Sequence, residues 1–328
     1  MLTTILFSSF CSLGLVATAP VDIMSRQATS GISTDFPDPS VLYDGNTWYV
    51  FASQSEYDNK NIHIQLAQST DFNTWTLQQG YDALPQLPSW AVDNGAVWAP
   101  DINKLADGSY LLYFSAATAQ DSTKHCVGTA RSKSVRGPFT PDQNPFDCDI
   151  AQGGSIDASG FVDSDGTRYV TWKIDANSLG HGGVCNNGVA PIVTTPILIQ
   201  QVQADGATKI GSASTLIVND PADGPLVEAP SMIKHGNTYI LYFSSNCFST
   251  PQYDESYAYS SSPTGGFAKA PRPLFVTGDQ GLTGPGGGDV TRDGTKMVLH
   301  TLQSDGRRFL HTTGLNYQQS GSTVTVTG

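Results

Sequence analysis

The chain has 328 residues with 33 Gly, 19 Pro, 10% aromatic side chains and only 14% charged ones, a composition that fits a turn-rich β-protein and excludes a mainly helical or disordered chain. Its 17 Lys and Arg against 29 Asp and Glu leave a net charge of -12, which opposes binding to nucleic acid or to an anionic membrane. Neutral or cationic partners are expected, and the length suffices for one large domain with a sizeable core.

In chain order, the first feature is an apolar run from Leu2 to Ala17 that ends in Ala17-Thr18-Ala19 before Pro20. This A-x-A pattern predicts a signal peptide over residues 1–19, and hence a secreted, extracellular protein, although the start of the run carries no Lys or Arg. Residues 20–30 read as a short N-terminal segment open to processing. From residue 31 to 328 no linker or shift of composition interrupts the chain, which predicts a single domain. Cys11 falls in the leader, leaving Cys126, Cys148, Cys185 and Cys247. In an oxidising compartment these predict two disulfides with three connectivities open, and no spacing among them suits a metal.

Within that domain one pattern recurs five times: a polar turn with Gly, then an aromatic or aliphatic strand. The copies run from Tyr43 to Ser53, Ala106 to Ser115, Asp163 to Trp172, His235 to Ser244 and Arg292 to His300. Each reads as a β-hairpin. Their turn glycines, Gly45, Gly108, Gly166, Gly236 and Gly294, are too far apart for one hairpin and suit a four-stranded unit. An all-β, five-bladed β-propeller is predicted, with a β-sandwich as the competing fold. A second pattern, an alternating strand followed by a Ser-rich turn and an aromatic, ends at Trp75, Phe139 and Phe267 and predicts outer strands.

Ahead of every hairpin stands one carboxylate: Asp38, Asp101, Asp157, Glu228 and Asp289. Innermost strands line a propeller's channel, so these five acids are expected to converge. Crowded anions repel, and folds that gather them use them for proton transfer, metal binding or hydroxyl recognition. Asp289 is expected to be structural.

The contexts Phe36-Pro-Asp38-Pro-Ser40, Trp98-Ala-Pro-Asp101, Ile156-Asp157-Ala-Ser159, Glu228-Ala-Pro-Ser231 and Gly284-Pro-Gly-Gly-Gly-Asp289, in that order, resemble glycoside hydrolase family 43. The resemblance implies an inverting, cofactor-independent hydrolase in which Asp38 is the general base, Glu228 the general acid, and Asp157 the residue that orients this acid and raises its pKa. It implies a substrate contact from Arg308, with Arg307 as its rival because strand alternation admits only one inward; sugar rings pack on aromatic faces, which makes Trp98 a further expected contact, and Asp101 is expected either to contact the substrate or to tie down a loop. Trp90 is a further candidate for the mouth, whereas Trp48, Trp75 and Trp172 read as core. Many relatives carry His in the fifth motif, sometimes beside a calcium ion, and Gly287 here argues against a channel metal and against endo cleavage. The expected activity is exo-acting removal of terminal α-L-arabinofuranosyl or β-D-xylosyl residues from plant cell-wall polysaccharide by a monomer. Endo-1,5-α-L-arabinanase, a galactan-trimming exo-enzyme and a non-catalytic glycan-binding propeller are the alternatives.

Overall fold

The computed structural model describes residues 1, 29–58, 60–93, 95–321 and 323–328; the predicted signal peptide beyond Met1 lies outside the described residues. The strands form five four-stranded antiparallel sheets and one two-stranded hairpin, which is the predicted five-bladed β-propeller. The first strand of each blade is Ser40–Asp44, Val97–Lys104, Ser155–Val162, Val227–His235 or Gly286–Val290. All five predicted turn glycines sit at positive φ between the first and second strands of their blades.

Strand alternation builds the radial core. Successive side chains of a strand point to opposite faces, so a strand packed between two neighbours must be apolar on both. Every residue of Tyr110–Thr118 is buried, as is every residue of Thr238–Ser245. In the former, Leu112 and Phe114 pack towards the first blade with Phe51 and Leu66, while Leu111 and Tyr113 pack towards the third with Trp172 and Val170. Five apolar clusters result, one between each pair of adjacent blades.

The ring is closed by the N-terminal strand Thr29–Ile32, which pairs antiparallel with Arg308–Gly314 of the last blade. Among the described residues this pairing runs from Thr29 to Ile32. The C-terminal hairpin, Asn316–Ser320 with Thr323–Thr327, inserts Val324 and Val326 into the cluster between the fourth and fifth blades. Of the three open disulfide connectivities the chain adopts Cys126–Cys148 and Cys185–Cys247.

Candidate active site

Each blade carries one residue in the left-handed region near the channel, within its first strand or, for Asp38, two residues before it: Asp38 (φ 50°), Ala99 (47°), Asp157 (57°), Ala229 (51°) and Gly287 (60°). In four blades the pairing register breaks at this point, between Trp98 and Asp101, Ile156 and Ser159, Glu228 and Ser231, and Gly286 and Asp289. For an L-residue this conformation costs about 1–2 kcal/mol, and such bulges re-aim neighbouring side chains.

These repeated bulges correct the expectation of five equivalent acids. Only Asp38 and Asp157 occupy the left-handed position itself. Glu228 stands one residue before it, at the place that Trp98 holds in the second blade. Asp101 and Asp289 stand two residues after it, level with Ser40, Ser159 and Ser231. Offsets from the turn glycines concealed this because the turns differ in length: Asp44 pairs with Thr47 and His235 with Thr238, whereas Val162 pairs with Arg168.

The deeper level is a hydrogen-bonded belt. Asp289 accepts hydrogen bonds from Val41 N (2.8 Å), Ser40 Oγ (3.1 Å) and Ser231 Oγ (2.8 Å), joining three blades as a structural acid should. Asp101 accepts from Asn103 Nδ2 (2.6 Å) and Gly160 N (2.9 Å). Burial and the charge of Asp289 push Asp101 up to about 7. Both acids line a narrow channel of about 40 Å³. Asp101 is absent from the wall of the larger cavity above, where a substrate contact would require it.

That upper cavity, of about 410 Å³, is lined by Asp38, Asp157 and Glu228 together with Trp98, Arg308, Lys173 and Tyr253. Asp38 is held by three groups: Ser53 Oγ donates to Oδ2 at 2.6 Å, Arg308 Nη1 to Oδ1 at 3.1 Å, and its own N–H bonds His300 Nδ1 at 3.0 Å. Burial opposes its charge, but the Arg308 guanidinium and the Ser53 hydrogen bond hold the carboxyl below its ordinary range. His300 is fully buried and held down to about 3 by that burial. It is therefore neutral, and its accepting Nδ1 assigns the proton to Nε2.

Across the cavity, Glu228 Oε2 meets Lys173 Nζ at 3.0 Å, and Oε1 accepts from the Tyr253 hydroxyl at 2.9 Å. Asp157 accepts from Ala229 N at 3.0 Å. Burial, and then the charge of Glu228, push Asp157 up to about 8. Trp98 lies flat on the ring of His125, with centroids 3.8 Å apart. Burial lowers His125 to about 4, so this support is uncharged at neutral pH.

Arg308, and not Arg307, faces the cavity: it is 9% exposed and stacks on Phe248 at 4.8 Å, while Arg307 turns outward to Asp58 and Asp305. Trp90 does not line the mouth. It packs on Phe114 in the core between the first two blades. Trp75 and Trp172 are core residues, and Trp48 packs against it. Sequence reasoning missed Lys173, Tyr253 and Ser53. A Lys among Tyr169, Val170, Trp172 and Ile174 in a buried strand was the one available signal for the first.

Residues 31–319 match the sequence pattern of Glycosyl hydrolases family 43. The chain belongs to this family. It is similar to an extracellular endo-α-(1→5)-L-arabinanase of Thermotoga petrophila, 29% identical over 42% of this chain but only 28% of that protein. A probable arabinan endo-1,5-α-L-arabinosidase C of Aspergillus flavus is 29% identical over 80% of this chain and 81% of its own length. Among solved structures, a thermostable family-43 glycoside hydrolase superposes with a TM-score of 0.74 at 24% identity, covering 92% of this chain and 95% of that one.

The glycine run of the fifth family-43 motif has a steric cause in this chain. A Cβ on Gly286 would lie 2.3 Å from Tyr253 Cε1, and one on Gly287 2.6 Å from His300 Cε1. The space that a histidine at 287 would need is already filled by His300. Among the described residues no group of three or more His, Cys, Asp or Glu is arranged to hold a metal ion.

Proposed function

We propose that this family-43 member is an inverting, exo-acting hydrolase that removes terminal α-L-arabinofuranosyl or β-D-xylosyl residues from plant cell-wall polysaccharide outside the cell. The observation that carries the reading is the lining of one cavity: the carboxylate of Asp38 and the carboxyls of Asp157 and Glu228 open onto a single space of about 410 Å³. One wall is formed by Asn177, Ser178, Cys185 and Asn186, and another by Phe248 and Tyr253. The Cys185–Cys247 bond fastens the first wall to the blade that carries the second. A tethered wall beside the acids favours a chain end over a passing polymer.

In this reading Asp38, kept ionised by Arg308 and Ser53, removes a proton from water as the water oxygen bonds the anomeric carbon. The glycosidic bond breaks on the opposite face, and Glu228 protonates the departing oxygen. Asp157 stands beside Glu228, and burial together with the charge of Glu228 pushes Asp157 up to about 8, so Asp157 is protonated at neutral pH next to the acid. Trp98 offers an apolar face to the sugar ring, and Arg308 both fixes Asp38 and points its remaining donors into the cavity. Asp101 supports the blades that carry these groups.

Endo-1,5-α-L-arabinanase activity is the second reading, favoured by the name of the Aspergillus relative that aligns over most of this chain. Hydrolysis of aryl α-L-arabinofuranoside and aryl β-D-xyloside, compared with debranched arabinan, separates the two. Monosaccharide release from chain ends is expected; internal cuts giving only oligosaccharides would refute exo action. Replacing Glu228 by Gln is expected to abolish turnover and retain sugar binding, and undiminished hydrolysis by that variant would remove Glu228 from the acid's role.

A further inference from the structure

Lys173 is 1% exposed, on the second strand of the third blade, with its ammonium between two carboxylates: Glu228 Oε2 at 3.0 Å and Asp175 Oδ1 at 3.1 Å. Asp157, on the adjacent first strand, is close enough to act on the same ammonium. A lysine is rarely buried to this degree unless its charge is matched, because stripping its water costs several kcal/mol. Here the match is over-complete: one cation, two partners in contact, and a third acid beside them.

We propose that Lys173, held in place by Asp175, is a positioning residue that sets which of the two neighbouring carboxyls, Asp157 or Glu228, takes up a proton. The inference rests on the reading of Glu228 as the acid. An ammonium in contact with Glu228 favours the carboxylate there and so directs a proton towards Asp157. Asp175 draws part of that charge away and moderates the bias. The acid is thus kept from holding its proton too firmly to give it up, while the buried Asp157 stores the proton between turnovers. Other groups facing Glu228 do not substitute for this control. Tyr253 donates a neutral hydrogen bond to Oε1. Across the cavity Asp38 is paired with Arg308, and His300 and His125 are held neutral by burial.

The arrangement makes opposite predictions for the two partners of one ion pair. Lys173→Met removes the cation, so the proton moves towards Glu228 and its titration midpoint rises, by about one to two pH units for a charge in contact. Asp175→Asn leaves the cation wholly on Glu228, and the midpoint falls by about half a unit to one unit. Lys173→Arg keeps the charge and the wild-type midpoint. A purely structural salt bridge would loosen the site in the same direction in both variants.

The chain contains three glutamates, Glu56, Glu228 and Glu255, so glutamate labelled with 13C at the side-chain carboxyl gives three resonances, and Glu228→Gln identifies the one that matters. Titration by NMR of the full chain and each variant reads the midpoint without any substrate. The Glu255 resonance serves as an internal control that the substitutions leave in place. The proposal stands if the Glu228 midpoint moves up in K173M, down in D175N and stays in K173R. It is overturned if both variants move it the same way or neither moves it. The alkaline limb of hydrolysis of an aryl glycoside is expected to move with the midpoint. Absence of hydrolysis by the wild-type chain on every arabinoside, xyloside and arabinan would instead overturn the functional reading and leave the NMR result to judge Lys173.

Discussion

Removing the cation beside Asp38 tests the assignment of the base most directly. Arg308 Nη1 lies 3.1 Å from Asp38 Oδ1, and the Asp38 side chain is 23% exposed. At an effective dielectric constant of about 20, two unit charges about 4 Å apart interact by about 4 kcal/mol. Water entering the space left by Arg308→Met recovers part of this, and measured shifts for an aspartate beside an arginine span about 1–3 pH units. Asp38 is held low, so losing Arg308 raises it, and the base is protonated over a wider acid range. The acid limb of kcat/KM is therefore expected to move to higher pH by about 1–2 units. Ser53→Ala removes the 2.6 Å hydrogen bond to Oδ2 and is expected to shift the same limb by about one unit, since 1.36 kcal/mol corresponds to one pH unit. Arg308→Lys, which retains the charge, is expected to restore the limb while leaving KM raised. Initial rates on an aryl glycoside between acid and mildly alkaline pH give all three limbs. An unmoved acid limb in Arg308→Met, whatever happens to kcat, would refute Asp38 as the group that must be ionised.

Three other outcomes follow from the same geometry. Glu255 is fully buried and, chiefly by that burial, is pushed up to about 8. A carboxyl whose folded pKa is raised stabilises below its unfolded value and loses that contribution as pH rises through the folded one, so thermal stability should decline from about pH 4.5 to about pH 8. Glu255→Gln should flatten this decline, and an unchanged slope in thermal unfolding would exclude Glu255 as its source. Gly287→Ala places a Cβ 2.6 Å from His300 Cε1 at a φ of 60°, so it should cost at least about 1–2 kcal/mol of stability from the backbone alone and displace His300 from Asp38. Denaturant unfolding together with kcat reads both effects, and a stable, fully active variant would contradict the steric account. Opening Cys185–Cys247 by double replacement with Ser removes a cross-link spanning 62 residues, for which loop-closure entropy predicts about 4 kcal/mol. The expected signs are lower stability and a raised KM for terminal sugars as the cavity wall loosens. An unchanged KM would detach that wall from substrate binding.

The blades were legible because hairpin turns and strand alternation are local: Gly45, Gly108, Gly166, Gly236 and Gly294 mark five turns that the structure places as expected. The existence of the acids was equally local, and Asp38, Asp157 and Glu228 do meet in one cavity. Their heights were not. A residue's level in the channel depends on the bulge that precedes it, and no residue type announces a bulge when Asp, Ala and Gly all occupy the left-handed position. Contacts that tune the acids were hidden for a different reason. Asp38 touches His300 across 262 residues of sequence, and Glu228 touches Lys173 across 55; such pairs exist only after the ring has closed.

The three heights also explain why so many carboxyls can be gathered in one narrow channel. On one level they would repel and either protonate or drive the blades apart. Staggered, each is matched differently: Asp289 by three hydrogen-bond donors, Asp38 by Arg308, and Glu228 by Lys173. Asp157, which lacks a cation in direct contact, is left as the acid pushed up to about 8. One acid held low and another held high, within the same cavity, is the separation that acid–base catalysis requires. The left-handed turns at Asp38 and Asp157, and the bulges in four of the five blades, are what create that separation.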